Sequence, residues 1–224
     1  MTEVVDEPKP VSFMKKWLVA VRPFAYTASG SAVVLALGLV GGVIAPGYTR
    51  MGFCLKYAAL GDISFFFAFG VLPMFGTYWV QTQTFSWLPV LWGVPVVLFT
   101  VGILHANNWY DIDGDRAKRC ITLAGLLGER WSAVYYRTLM LGPFVLTGLY
   151  VLARFVPDLP VIAPWAAVIV FIVFPIAMKL SHSRRDDNGE TFKMLDGKTA
   201  QLQLLFSVLL LVAFIAAGYL PVLR

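Results

Sequence analysis

Apolar residues run along this chain in blocks too long for the buried stripe of a soluble helix, separated by short polar and charged stretches. Crossing the hydrocarbon of a bilayer takes about 20 mostly apolar residues in helical form, because every backbone N–H and C=O must be paired within the segment. Six blocks qualify: residues 24–45, 63–80, 87–110, 132–153, 159–178 and 199–223. They predict an all-α fold, an integral membrane helical bundle of about six transmembrane helices. Pro95, Pro143 and Pro175 fall inside blocks and predict kinks, with neighbouring helices supplying partners for the freed carbonyls. Residues 1–16 read as a disordered polar tail and residues 17–224 as a single transmembrane domain.

Composition agrees with the pattern. Hydrophobic residues make up 58% of the chain, charged residues 14%, and mean hydropathy is +0.73, a balance that excludes an ordinary soluble domain. Cys54 and Cys120 lie too far apart in sequence to define a disulfide framework or a metal-binding spacing, and both read as inert thiols. The net charge of +5 comes from Lys and Arg in the loops, which in a membrane protein reports topology and contact with anionic lipid, with no support for nucleic-acid binding. Arg116, Lys118, Arg119 and Arg130 follow the third block, and Lys179, Arg184, Arg185, Lys193 and Lys198 follow the fifth. Both loops are expected on the cytoplasmic side, and residues 81–86, without positive charge, on the other. Lys9, Lys15, Lys16 and Arg22 also predict a cytoplasmic start. That start and the cytoplasmic loops cannot all hold if each of the six blocks crosses once.

The chemistry-bearing feature ends the third block: His105-Ala106-Asn107-Asn108-Trp109-Tyr110-Asp111-Ile112-Asp113-Gly114-Asp115-Arg116. If one helix runs through it, Asn107, Asp111 and Asp115 share a face with Asn108 beside them. Carboxylates at that spacing repel unless a cation sits among them, and oxygen donors suit a hard ion such as Mg²⁺, which keeps waters and substrate phosphates as further ligands. The competing reading is a solvated helix end, with Asp113 or Asp115 paired to Arg116 or Lys118. Phe65, Phe66, Phe67, Phe69, Tyr78, Trp79 and Trp109 are either tunnel-lining or lipid-facing. His105 reads as a satisfied intramembrane polar group, His182 as a loop residue, and Gly38 with Gly42 as a close helix contact.

Several stretches carry a family resemblance. WLVAVRP at 17–23, YAALGDISFFFAF at 57–69, GTYWVQT at 76–82, NNWYDIDGDRAKRCITLAGLLG at 107–128 and TAQLQLLF at 199–206 resemble the intramembrane aromatic prenyltransferases of the UbiA superfamily. Within it they resemble the branch that prenylates 1,4-dihydroxy-2-naphthoate in menaquinone synthesis. The resemblance implies a shortened version of a nine-helix bundle around a central cavity, in a bacterial-type cytoplasmic membrane. It implies transfer of a polyprenyl group from its diphosphate to an aromatic acceptor, with Mg²⁺ as cofactor. Asp111 and Asp115 would be catalytic and would hold metal together with Asn108. Asn107, Asn108, Arg116, Lys118 and Arg119 would contact diphosphate.

The sequence also departs from that family. Its members use two Asp-rich motifs, and this chain carries only the second. About three helices of the family, among them the one bearing the first motif, are missing between Ala45 and the stretch before the middle helix. An odd number of missing spans reverses the first helix and accounts for the conflict in the charges. The family's Arg before the motif Asp is Tyr110 here, and Cys120 and Ile121 replace a basic pair. Lys118 and Arg119 lie two positions earlier, a swing of roughly 200° on a helix, so compensation calls for a flexible loop, which Gly114 would permit. Two readings follow. One is an enzyme completed by a second copy or a partner membrane subunit. The other is a catalytically degenerate relative that binds a quinone, prenyl lipid or pigment tail, or serves as a structural subunit.

Overall fold

A computed structural model describes residues 61–118, 120–156, 164–184 and 192–219. The first block, Gly38 with Gly42, Cys54, Arg119 and Arg185 lie outside the described residues. All the described regular structure is helical: α1 Gly61–Thr82, α2 Leu88–Tyr110, α3 Ile112–Ala117, α4 Leu123–Leu152, α5 Phe174–Ser181 and α6 Leu195–Tyr219. A 3₁₀ turn, Ala153–Phe155, prolongs α4, and a 3₁₀ stretch, Trp165–Val173, leads into α5.

Among the described residues, four helices are long and apolar enough to cross a membrane: Gly61–Thr82, Leu88–Tyr110, Leu123–Phe155 and Leu195–Ala217. These match the second, third, fourth and sixth predicted blocks. The fifth corresponds to the shorter apolar helix Trp165–Ser181. Its 3₁₀ half rises about 2 Å per residue and its α half about 1.5 Å, so it still reaches about 30 Å, the thickness of the hydrocarbon. Pro175 lies in the first turn of α5, at the junction of the two geometries and not inside a continuous α-helix.

α2 is the central element, packed on α4, α6 and α1. Phe99 of α2, Phe144 of α4 and Phe206 of α6 meet edge to face with centroids 5.2–6.1 Å apart at the middle of the core. Small residues let α1 approach α2, because a Cβ at Gly70 would strike Val97 and one at Gly93 would strike Met74. Polar ties cross the bundle as well. The Thr199 hydroxyl donates to Leu195 O at 2.7 Å and accepts from the Tyr136 hydroxyl at 2.7 Å, and Gln203 Nε2 donates to Thr100 Oγ1 at 2.8 Å. The polar positions of TAQLQLLF therefore bind α6 to α4 and α2.

The prolines behave as lipid demands. Pro95 cannot donate to Leu91 O, and the Tyr150 hydroxyl of α4 donates to that carbonyl at 3.0 Å instead. In α1, Pro73 follows a π turn, Phe67–Val71, in which the Leu72 N–H reaches back to Phe67 O. The wider turn is one way to seat a proline ring inside a helix.

Candidate functional site

α2, α3 and the start of α4 form a hook at one end of the bundle. Asp111 leaves α-helical geometry (φ −96°, ψ 20°) although its N–H still bonds Asn107 O at 3.1 Å. α3 then starts, with the Asp115 N–H on Asp111 O at 2.8 Å, and the Cys120 N–H closes the turn on Asp115 O at 2.8 Å. Thr122 caps α4, its hydroxyl accepting from the Gly125 N–H at 3.1 Å. The helix breaks once at Gly128 (φ 68°, ψ 179°), and Ser132 Oγ donates to Ala124 O across the break at 3.3 Å. The long loop expected after the third block is thus largely helical, and α4 starts at Leu123 instead of residue 132.

The bend at Asp111 divides the face that a straight helix would have shared. Asn107 is exposed and Asn108 buried; Asp111 is half-buried, Asp113 exposed and Asp115 buried. Gly114 lies inside helix α3, so it does not open a flexible loop. Its role is spatial: a Cβ there would overlap the Asp111 carboxylate, which lies folded over it. Lys118 Nζ stands 3.8 Å from Asp111 Oδ2, the lysine largely in solvent and the carboxylate about half so. It is thus Asp111 that pairs with Lys118. Arg116 is exposed at the rim.

Among the described residues no three His, Cys, Asp or Glu side chains converge as a metal-binding group. The available donors are the carboxylates of Asp111 and Asp115 and the buried amide of Asn108, all oxygen-bearing. Such a set suits a hard cation that completes its octahedron with water and phosphate oxygens.

A second polar pair, which sequence reasoning missed, lies deeper in the bundle. His105 Nδ1 of α2 stands 3.4 Å from Asp62 Oδ2 of α1, with side-chain exposures of 0% and 2%. The His105 ring has no hydrogen bond among the described residues, whereas the Asp62 carboxylate also faces the Tyr135 hydroxyl, so His105 is not the satisfied polar group expected from the sequence. Tyr135 of α4 meets the His105 ring edge to face at 4.7 Å. An ionisable pair inside spanning helices is costly and marks function by default. The available signal was Asp62 opening an otherwise apolar block one face away from a buried histidine.

The aromatics divide clearly. Phe67, Phe69 and Trp79 face outward, whereas Trp109 is fully buried and donates from Nε1 to Glu129 Oε1 at 3.1 Å. His182 ends α5, and its Nδ1 lies 2.8 Å from Met178 O and 3.2 Å from the Ser181 hydroxyl. Cys120 is buried and unoxidised.

The UbiA prenyltransferase family matches residues 17–195. UbiA prenyltransferase domain-containing protein 1 of Mus musculus is 31% identical over 189 residues, covering 84% of this chain and 53% of that protein. Its counterpart in Homo sapiens is 30% identical over 189 residues, at 84% and 52%. The one in Danio rerio is 32% identical over 195 residues, at 84% and 53%. The chain spans about half the length of these curated relatives. They correct the branch expected from the motifs: their shared name is not that of the dihydroxynaphthoate transferases, and it fixes no acceptor. The match runs through α1, α2, the bent acidic hook, α4 and α5, and the chain belongs to the UbiA prenyltransferase family.

Proposed function

We propose that the chain transfers a polyprenyl group from its diphosphate to an electron-rich, 1,4-dihydroxy-2-naphthoate-like aromatic acceptor, at the hook formed by α2, α3 and the start of α4. The supporting observation is an oxygen-donor patch, Asn108, Asp111 and Asp115, at the end of an apolar span in a chain of this family. In this reading Mg²⁺ supplies positive charge to the departing diphosphate. Asp111 and Asp115 hold the cation, with Asn108 beside them. Asn107, Arg116, Lys118 and Arg119 contact the phosphate oxygens, and Lys118 exchanges its Asp111 partner for them. The apolar stretches of α1 and α2 beneath the hook keep water from the allylic carbon as its bond to oxygen breaks. The charged end faces the cytoplasm of a bacterial-type membrane, and residues 17–224 act as one unit.

The test is turnover of polyprenyl diphosphate and dihydroxynaphthoate by the purified full chain with Mg²⁺. Asp111→Ala is expected to lower it at least about a hundredfold. A second reading is favoured by the single Asp-rich motif of this chain, where the family resemblance implies two: a binding or structural subunit that holds a prenyl lipid or quinone and works with a second copy or a partner. Bound lipid without turnover by wild type, restored by mixing with a partner, would select it.

A further inference from the structure

Away from the hook, α5 and α6 enclose a cleft of about 650 Å³ on the same end of the bundle. Its lining is graded along the membrane normal. On α6, Lys198, Gln201, Leu202 and Leu205 occupy one stripe at i, i+3, i+4 and i+7, so the surface turns from cationic to apolar over about 10 Å. On α5, which runs the other way, Lys179 stands above Pro175 and Ile176. Both helices thus place ammonium groups at the charged end and hydrocarbon beneath them. No Asp or Glu lines the cleft among the described residues, and the Asp196 carboxylate nearby in sequence accepts from the Gly197 N–H at 2.7 Å. A smaller cavity of about 260 Å³ shares the His182–Ser183 turn and is lined by Arg130, Arg137 and Arg184 together with Glu129, which accepts from the Trp109 indole.

We propose that this cleft binds an anionic glycerophospholipid, its phosphate between Lys179 and Lys198 and an acyl chain along Ile176, Leu202 and Leu205. Basic pockets between helices at a membrane face suit anionic headgroups, and the graded lining matches an amphiphile standing upright in the leaflet. A polyprenyl diphosphate fits less well, because among the described residues the cleft offers no carboxylate to bring the metal that a diphosphate ordinarily carries.

Native mass spectrometry of the purified full chain, titrated with phosphatidylglycerol or phosphatidylcholine of equal chain length, tests the site. One phosphatidylglycerol is expected to be retained in preference to phosphatidylcholine. Lys179→Gln with Lys198→Gln should weaken that retention about thirtyfold, from two lysine contributions at a membrane surface. Lys193→Gln, an exposed cation at the same end but outside the cleft, should leave it unchanged. Leu205→Trp, which fills the floor and keeps both charges, should also expel the lipid. Phosphatidylglycerol should raise the melting temperature of the wild type and not of the double variant. Equal retention of the two lipids, undiminished retention by both cleft variants, or one-for-one displacement by polyprenyl diphosphate would each overturn the assignment.

Discussion

At the scale of single residues, two groups carry consequences out of proportion to their size. His105→Leu would leave the Asp62 carboxylate buried without its 3.4 Å partner. It is expected to cost about 3–5 kcal/mol, while Asp62→Leu with His105→Leu recovers much of that loss, as seen when buried pairs are replaced whole. Unfolding titrations in mixed micelles read both. Gly128 sits at φ 68°, ψ 179°, a region other residues enter only under strain, so Gly128→Ala should cost about 1–3 kcal/mol by thermal melting. Much at this scale was legible in the sequence: Asp111, Asp115, Lys118 and Asn108 all stand in the hook the acidic run announced. The separation of Asn107 from Asn108 was not, because it depends on Asp111 leaving the helix, and one residue's dihedral angles have no periodicity to betray them. Asp62 and His105 were missed for another reason. Their pairing joins positions 43 residues apart, and a lone polar residue in an apolar block looks the same whether it faces lipid, backbone or a charge.

Elements were easier to read than their ends. Length and hydropathy alone located α1, α2, α4 and α6, since a bilayer imposes a minimum span. The start of α4 moved nine residues earlier because Ser132 spans the break at Gly128, so a glycine that looks like a stop is held within one helix. The 3₁₀ form of Trp165–Val173 left no mark in composition. A partner for the carbonyl freed by Pro95 was foreseen, and the Tyr150 hydroxyl on Leu91 O supplies it. Tyr150→Phe is expected to cost about 0.6–1 kcal/mol, the range measured for hydrogen bonds between membrane helices, with the loss seen as a lower melting midpoint in detergent.

For the whole molecule, Arg116, Lys118, Arg130, Lys179, Arg184, Lys193 and Lys198 gather at one end and Arg154 stands at the other, its guanidinium over the Trp165 ring at 4.7 Å. By the positive-inside rule the hook is expected on the cytoplasmic side. With Cys54 and Cys120 replaced by serine, Ala117→Cys should react with an impermeant maleimide only from the cytoplasmic side and Thr84→Cys only from the opposite side. Label at both positions from one side would refute this orientation. The described bundle would then need an even number of crossings between α1 and the tail if Lys9 shares the side of Ala117. The π turn of α1 bears on the same question of sidedness. A five-residue turn where an α-helix closes in four is a slipped tooth in the gearing: everything from Leu72 outward has been indexed by one position against everything from Phe66 inward. Asp62 at one end and Trp79 at the other thus keep separate angular settings, and a single-residue deletion within Phe67–Val71 would let the helix close in regular α turns, removing the slip without shifting the end that bears Asp62.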